Sequence, residues 1–568
     1  MNVLQDIPKA ENMTVSQDTP RPESTAEPQD IPKDRLAGLK QNWKTDILSG
    51  FILFLIALPL CLGISIASGV PPIAGIFTAI IGGIVVSQIS GSFVTINGPA
   101  AGLIVVILAS VERLGGGDAG YHGTLAAIVI AGSVLFVAGM LKAGELGEFF
   151  PSSVVHGMLA AIGVTIMAKQ LPFVLGVKPP AKEVIQLILQ VPQMLMNLNP
   201  EIALIGLLSL AIMILHAKAK NKTLKKIPAP IIVVLVGIAL GQYFDLQDPH
   251  SDLIGHHTIY IDPKFLVSVP VHFMDGIAHP DFSQIGAGAF WISVVSITLI
   301  QGLESLLSCA AVDKLDPWKR QSNLSKDMGA IGLGSALCGL VGGLPMIAEI
   351  VRSTANVANG AHTRWSNFFH GLFMLVCVAT AASMINRIPL AALAALLVFT
   401  GFRLASPKVF KETHEIGLDQ TIIFCSTILG VLYTDLLIGV LIGIAVKFLL
   451  HIIKGAPITS LFSAHATVVA DESNESYLVK VKDAAIFSNY LPLKWKLSKI
   501  PQKKRITVNF SEAKLVDHTV MEHLNHFAHV YTGEGGEFTI TGLDRLKPAS
   551  AHPLASRRLI AAPAAAAS

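Results

Sequence analysis

The chain has 568 residues, 52% of them hydrophobic and only 14% charged, and a formal net charge of +3. So apolar a composition, with a mean hydropathy of +0.59, excludes an ordinary soluble domain, and so mild a basic excess argues against a nucleic-acid partner. The five cysteines, Cys61, Cys309, Cys338, Cys377 and Cys425, sit in apolar segments without C-x-x-C spacing, which points to plain buried thiols rather than disulfides or metal ligands.

The first 34 residues are rich in Pro, Glu and Ser and lack an apolar run, so residues 1–40 are expected to form a disordered tail. The first apolar segment starts near Ile47, exceeds the h-region of a cleavable signal and follows Lys33, Arg35, Lys40 and Lys44. By the positive-inside rule those charges keep the N-terminus cytoplasmic. Membrane-length apolar runs then succeed one another through residues 41–454, which predicts a polytopic α-helical membrane protein. A first half places spans at 47–67, 72–90, 97–112, 123–143, 153–173, 201–218 and 229–244. A second half places them at 286–310, 326–341, 346–359, 366–384, 389–404, 419–433 and 436–453. Alternation of sides puts the basic stretches 218–226, 313–320 and 403–411 in the cytoplasm, and the loop 242–283, with Lys264 as its only Lys or Arg, outside. About fourteen spans result, and two halves of seven must run in opposite orientations, as a 7+7 inverted repeat.

One segment in each half is broken where a spanning helix should continue. The first reads Thr95-Ile96-Asn97-Gly98-Pro99-Ala100-Ala101-Gly102, and the second Gly342-Gly343-Leu344-Pro345-Met346-Ile347-Ala348-Glu349, followed by Arg352-Ser353. Non-helical backbone survives at membrane depth only inside protein or beside a watery cavity, so matched breaks point to a solute site. Each short helix after a break presents unpaired N–H groups and about half a positive charge at its N-terminus, which suits a small anion. Gly98 and Ala100 allow close backbone approach, and Asn97 can donate from its amide; Ala348, Glu349, Arg352 and Ser353 complete the candidate anion-binding set. Arg352 costs about 2.5–3.5 kcal/mol at the bilayer centre and therefore needs a partner, either the anion or Glu349 one turn earlier.

Gln301, Glu304 and Ser308 recur at i, i+3, i+7 as one polar stripe on an apolar helix. Glu304, Ser308 and Thr95 are the candidate coupling-cation site, holding Na⁺ with oxygen ligands or a proton on Glu304; a packing network is the rival reading. Lys169, near a span end, His256 and His257, in the external loop, and Asp435, at a hairpin, read as interfacial, surface and capping residues.

A linker is expected at 455–475 and a small cytoplasmic α/β domain at 476–546, with strands at 477–481, 505–510 and 537–541 and a helix at 519–531. The Ala-rich end, 547–568, reads as a disordered tail. The soluble part offers no nucleophile, metal cluster or acid/base pair, which argues against an enzyme, and no phosphate loop suggests an ATP motor. No bound cofactor is expected beyond the coupling ion.

The run Ala57-Leu58-Pro59-Leu60-Cys61-Leu62-Gly63-Ile64-Ser65-Ile66-Ala67-Ser68-Gly69, the Asn97-Gly98-Pro99-Ala100 break, Gly302-Leu303-Glu304-Ser305-Leu306-Leu307-Ser308 and Gly342-Gly343-Leu344-Pro345 with Arg352-Ser353 together resemble the sulfate permease (SulP) anion transporter family. Leu515-Val516-Asp517-His518-Thr519 resembles part of the STAS domain that this family carries at its C-terminus. The resemblance implies fourteen helices divided into core and gate domains, an anion between two half-helices, and elevator-like movement. It also implies a homodimer in a bacterial inner membrane, with both termini cytoplasmic. In bicarbonate-transporting relatives an acidic and a hydroxyl residue at the positions of Glu304 and Ser308 are associated with Na⁺. Na⁺-coupled bicarbonate uptake is the expected function, with sulfate or dicarboxylate transport, proton-coupled or by exchange, as the alternative. An anion channel, or a membrane-bound scaffold or sensor working through the STAS-like domain, is the alternative of another class. In anti-sigma-factor antagonists a Ser after the Asp accepts phosphate; here His518 intervenes before Thr519, which argues against phosphoregulation, and a cytoplasmic partner remains open.

Overall fold

The computed structural model describes residues 31–559 apart from 146–149, 182, 222–226, 255–256, 262, 319, 464, 472–474 and 534. Helix α1 (Arg35–Ala67) opens on Asp34, whose side chain accepts from the Arg35 N–H and pairs with Arg364 at 2.8 Å. The expected tail therefore ends before residue 35, and its first 30 residues lie outside the described set. After α2 (Ile73–Ile81) the chain passes through a π-helical turn, Gly82–Val86, into α3 (Ser87–Ile89). The first break holds strand β1 (Asn97–Pro99) and a 3-10 turn, Ala101–Leu103, leading into the half-helix α4 (Ile104–Arg113). Helices α5 (Gly117–Met140), α6 (Ser152–Leu175), α7 (Val184–Leu189), α8 (Val191–Met196), α9 (Pro200–Lys218) and α10 (Ala229–Tyr243) complete the first half.

A hairpin, β2 (His250–Ile254) and β3 (His257–Ile261), precedes α11 (Gly288–Leu315) and α12 (Leu324–Val341). Gly342 at φ 91 then adopts the left-handed conformation that stops α12 and starts the second break. Strand β4 (Met346–Ala348) and half-helix α13 (Ile350–Ala358) follow, then α14 (Trp365–Thr380), α15 (Ala382–Ile385), α16 (Leu390–Leu404), α17 (Pro407–Ile416), α18 (Leu418–Tyr433) and α19 (Leu436–Ile453). Helix thus occupies every segment expected to span. Both half-helices start later than expected, because three residues of each break are spent in a strand. Among the described residues seven helical stretches are long and apolar enough to cross a membrane, and four shorter apolar helices accompany them. The helices α7, α8 and α17 and the hairpin were not anticipated. Lys169 lies in α6, and Asp435 caps α19 by accepting from the Ile438 N–H at 2.9 Å; His256 falls outside the described residues.

Each half contributes to two packed groups. In one, α5 packs on α12 and α14 on α1; in the other, α6 packs on α16, α18, α19 and α9.

The C-terminal α/β domain continues from α19. Strands β5 (Ala466–Ala470), β6 (Ser476–Ala485), β7 (Arg505–Val516) and β8 (Glu537–Thr541) alternate after β6 with α20 (Phe487–Ser498) and α21 (His518–Gly533). The β6–β7 and β7–β8 pairs are parallel, as helical crossovers require. Two boundaries differ from expectation. The linker at 455–475 carries β5, which pairs with β6. The tail at 547–568 begins with β9 (Lys547–Pro548) and β10 (Arg557–Arg558), and β10 covers the edge that the far end of β7 would leave open; residues 560–568 lie outside the described set.

This domain docks on the helices through a buried charge cluster. Lys447 in α19 is 3.1 Å from the Asp517 carboxylate with both side chains at most 1% exposed, and its ammonium donates to the Thr519 hydroxyl at 2.7 Å. Asp517 also accepts from the N–H groups of Phe487 and Val520, at 3.0 and 2.8 Å. Burial alone would raise the Asp517 carboxyl, but Lys447, then His451 and the two N–H groups outweigh it and hold it below its ordinary value. Lys447→Met strands that carboxylate and is expected to lower stability by about 3–5 kcal/mol, read as a fall in Tm that Lys447→Met combined with Asp517→Asn partly reverses. Because the folded value is depressed, the contribution is complete above the unfolded-chain value of about 3.9 and disappears as pH falls through the folded one. Protease resistance of the domain should therefore hold from pH 7 to 5 and fail only in stronger acid; loss already at pH 6 would contradict this account.

Candidate functional site

The two breaks pair with each other. β1 and β4 are antiparallel, with Asn97 opposite Ala348, Gly98 opposite Ile347 and Pro99 opposite Met346, all buried. Strand pairing between segments about 250 residues apart gives both half-helices a common starting point. The backbone leading into each strand is bonded by the other half of the chain. Before β1, the Ile96 N–H donates to Ser353 Oγ at 2.9 Å, the Ile96 carbonyl accepts from the Glu349 N–H at 2.8 Å, and the Val94 carbonyl accepts from the Asn356 amide at 2.9 Å. Before β4, the Leu344 N–H donates to Thr78 at 2.8 Å and the Gly342 carbonyl accepts from Tyr121 at 2.6 Å. The Met346 N–H donates to Ser335 at 3.0 Å, and its carbonyl accepts from Gln301 at 2.9 Å. Non-helical backbone at membrane depth is thereby satisfied inside the protein.

Where the half-helices begin there is a cavity of about 260 Å³, lined by Ala101 and Gly102 from one and by Glu349, Ile350, Val351 and Arg352 from the other. Glu304 of α11, Leu60 and Ile64 of α1, and Leu397, Thr400, Arg403 and Leu404 of α16 complete the lining. The wall therefore draws on both packed groups. Arg352 is 1% exposed; its Nη2 donates to the Pro99 carbonyl and lies 3.4 Å from Glu349 Oε1. Gly98 packs under the same guanidinium, and Gly102 under the Glu304 carboxylate, so closely that a Cβ at either position would collide with the charged group. Glu304 Oε2 is buried without a hydrogen-bond partner. The cavity thus joins two helix N-termini, two acidic side chains and the Arg352 guanidinium, with the exposed Arg403 on its lining, a set able to hold an anion and a cation together.

The expected anion-binding residues divide. Glu349 and Arg352 line the cavity with Gly98 against them. Asn97, Ala100, Ala348 and Ser353 form the wall behind: Asn97 accepts from Asn367 at 3.2 Å, and Ser353 donates to the Glu349 carbonyl at 2.6 Å. Of the coupling residues Glu304 lines the cavity, while buried Ser308 and Thr95 do not. Gln301 is a strut for β4 rather than a cavity group. Sequence reasoning missed Gly102, Thr400 and Arg403; Arg403 reads as one of the cytoplasmic loop charges, which hides its place on the wall.

Residues 43–427 match the sequence profile described as the Sulfate permease family. YvdB of Bacillus subtilis (strain 168), which bears a sulfate-transporter name, is 24% identical over 511 residues, spanning 89% of this chain and 92% of that protein. The bicarbonate transporter BicA of Picosynechococcus sp. is 26% identical over 416 residues, 72% of this chain and 70% of that protein. Among solved structures, the transmembrane domain of a cyanobacterium bicarbonate transporter BicA is similar at a TM-score of 0.59 and 22% identity, covering 72% of this chain and 97% of that one. SLC26A9 is similar at 0.62 and 14% identity, covering 89% and 85%. At such identities the structural likeness speaks to the fold alone. The profile match spans the paired breaks and the helices that bring Glu304 and Arg352 together, and the chain belongs to the sulfate permease family of multi-pass anion transporters.

Proposed function

We propose that the protein is a secondary active transporter that takes up bicarbonate together with Na⁺ by an elevator-like movement of the half-helix group against the group containing α16. The observation that carries this reading is the shared cavity: Arg352 and two helix N-termini for the anion, and the unpartnered Glu304 carboxylate for the cation. The BicA relatives favour bicarbonate. Sulfate is the second reading, because the exposed Arg403 on the lining adds a second basic residue suited to a dianion and because YvdB bears a sulfate-transporter name. A dicarboxylate fits the same charge pattern, and a proton on Glu304 is the alternative coupling ion. The protein works as a homodimer in a bacterial inner membrane with both termini in the cytoplasm, and the docked STAS-like domain modulates transport.

Two measurements test this. In liposomes holding the full-length protein, labelled bicarbonate uptake should rise with an inward Na⁺ gradient, and Glu304→Gln should abolish that rise. Na⁺-independent sulfate uptake would overturn both substrate and coupling ion, and current without saturation would replace the carrier by a channel. Gly98→Ala pushes its methyl into the Arg352 guanidinium and should raise the half-saturating anion concentration about tenfold or more, with a modest fall in Tm from the overpacking; unaltered saturation would remove Arg352 from the anion site.

A further inference from the structure

Glu349 is the wrong charge for an anion site, and its geometry is the wrong geometry for a helix cap. It precedes α13, yet its side chain makes no capping bond. Its Oε1 lies 3.4 Å from Arg352 Nη2 and has no hydrogen-bond partner. Permanent buried ion pairs are held by several good hydrogen bonds; this one touches the guanidinium at one edge. The same Nη2 donates to the Pro99 carbonyl, and Nη1 lies 3.7 Å from Cys61 Sγ. The Glu349 side chain is 12% exposed against 1% for Arg352, so it is the partner on the cavity side. Its carboxylate therefore lies at the place where an anion bound by Arg352 and the first turns of the two half-helices would put its oxygens.

We propose that Glu349 is a tethered substitute for the transported anion. Its carboxylate neutralises Arg352 and the half-helix N-termini while the carrier is empty, and it turns toward the aqueous side of the cavity when an anion takes its place. The inference rests on the carrier reading above and adds what happens between loads. Without Glu349, Arg352 and about half a charge from each helix N-terminus, counted against Glu304 and with Arg403 left on the stationary wall, would leave the empty site with about one net positive charge. Such a site crosses an apolar barrier at a heavy cost, so only the loaded form would move and transport would be confined to one-for-one exchange. With the carboxylate in place the empty site is as nearly neutral as the loaded one, and the carrier can return unloaded. Glu304, facing the same cavity from α11, keeps its own role toward the cation, and Arg403 stays on the opposite wall. Glu349 is thus the residue that turns an exchanger into a net importer.

Full-length protein in voltage-clamped liposomes tests this with labelled bicarbonate and labelled sulfate. Anion-free liposomes read net uptake, and liposomes preloaded with the same unlabelled anion read exchange. Wild type is expected to perform both. In Glu349→Gln, net uptake should fall about tenfold or more, while exchange continues with a lower half-saturating concentration because the internal competitor is gone. Glu349→Asp, which keeps the charge on a shorter arm, should retain part of the net uptake, and Glu349→Ser makes the same comparison should the Gln variant fail to fold. Wild-type net uptake in folded Glu349→Gln or Glu349→Ser would overturn the proposal and leave the transporter reading intact. Loss of exchange together with net uptake in those folded variants would also overturn it, since Glu349 would then support the anion rather than compete with it. No movement of either anion by wild type in either assay would sink the carrier reading itself.

Discussion

Everything at the site depends on one constraint: a bilayer interior has no water to hydrogen-bond the backbone, so a helix may stop there only where the protein supplies replacement partners. The chain stops two helices at once and makes each stop the partner of the other. β1 pairs with β4, while Ser353 and Asn356 of the second half serve the approach to β1, and Thr78 and Tyr121 of the first half serve the approach to β4. Neither break could be satisfied this way alone. The pairing also brings the two half-helix N-termini to one cavity, so the device that makes the breaks tolerable also gives that cavity a positive potential.

Acidic and basic side chains gather around that potential. Arg352 strengthens it, and Glu349 and Glu304 oppose it across a cavity small enough for all three to share. Close backbone approach at Gly98 and Gly102 sets the positions of Arg352 and Glu304, since a side chain at either glycine would displace the charged group it faces. Arg352 and Glu349 lie 3.4 Å apart, while the Glu304 Oε2 faces them from α11 without a hydrogen-bond partner.

The helical segments were legible in the sequence because apolar length is a strong signal, and the breaks because Gly and Pro interrupt it. The strands inside the breaks were not. Three residues such as Met346-Ile347-Ala348 look like any apolar helix until the partner, about 250 positions away, is known. Helix periodicity put Gln301, Glu304 and Ser308 on one stripe; in the structure the Gln301 amide nitrogen donates to the Met346 carbonyl and Ser335, its Oε1 is buried without a hydrogen-bond partner, and of the three only Glu304 lines the cavity. Composition misled at the C-terminus, where a sequence drifting toward alanine still supplies the strand that pairs with Leu515 and Val516.

The C-terminal α/β domain shows how a motif can be kept while its hydroxyl is taken up in docking. Asp517 caps α21 through the Val520 N–H, and Thr519, the nearest hydroxyl, is fully buried and receives the Lys447 ammonium. A phosphate could reach that hydroxyl only after the domain had come away from α19, so docking and phosphorylation at this position exclude each other. Further contacts run from Glu522 to Ser152 at the start of α6, from Trp495 to Glu145 on the segment leading into α6, and from Ser556 to Asp419 in α18. Ser152 and Asp419 lie in the group that packs around α6, which also holds α16 with Thr400 and Arg403, whereas Glu145 follows α5 in a turn whose Gly144 N–H donates to Ser325 of α12, in the other group. In the proposed carrier the domain is therefore held mainly by the wall that stays, and movement of the half-helices with Arg352 and Glu349 past it leaves the Lys447–Asp517 pair intact while the Trp495–Glu145 bond breaks.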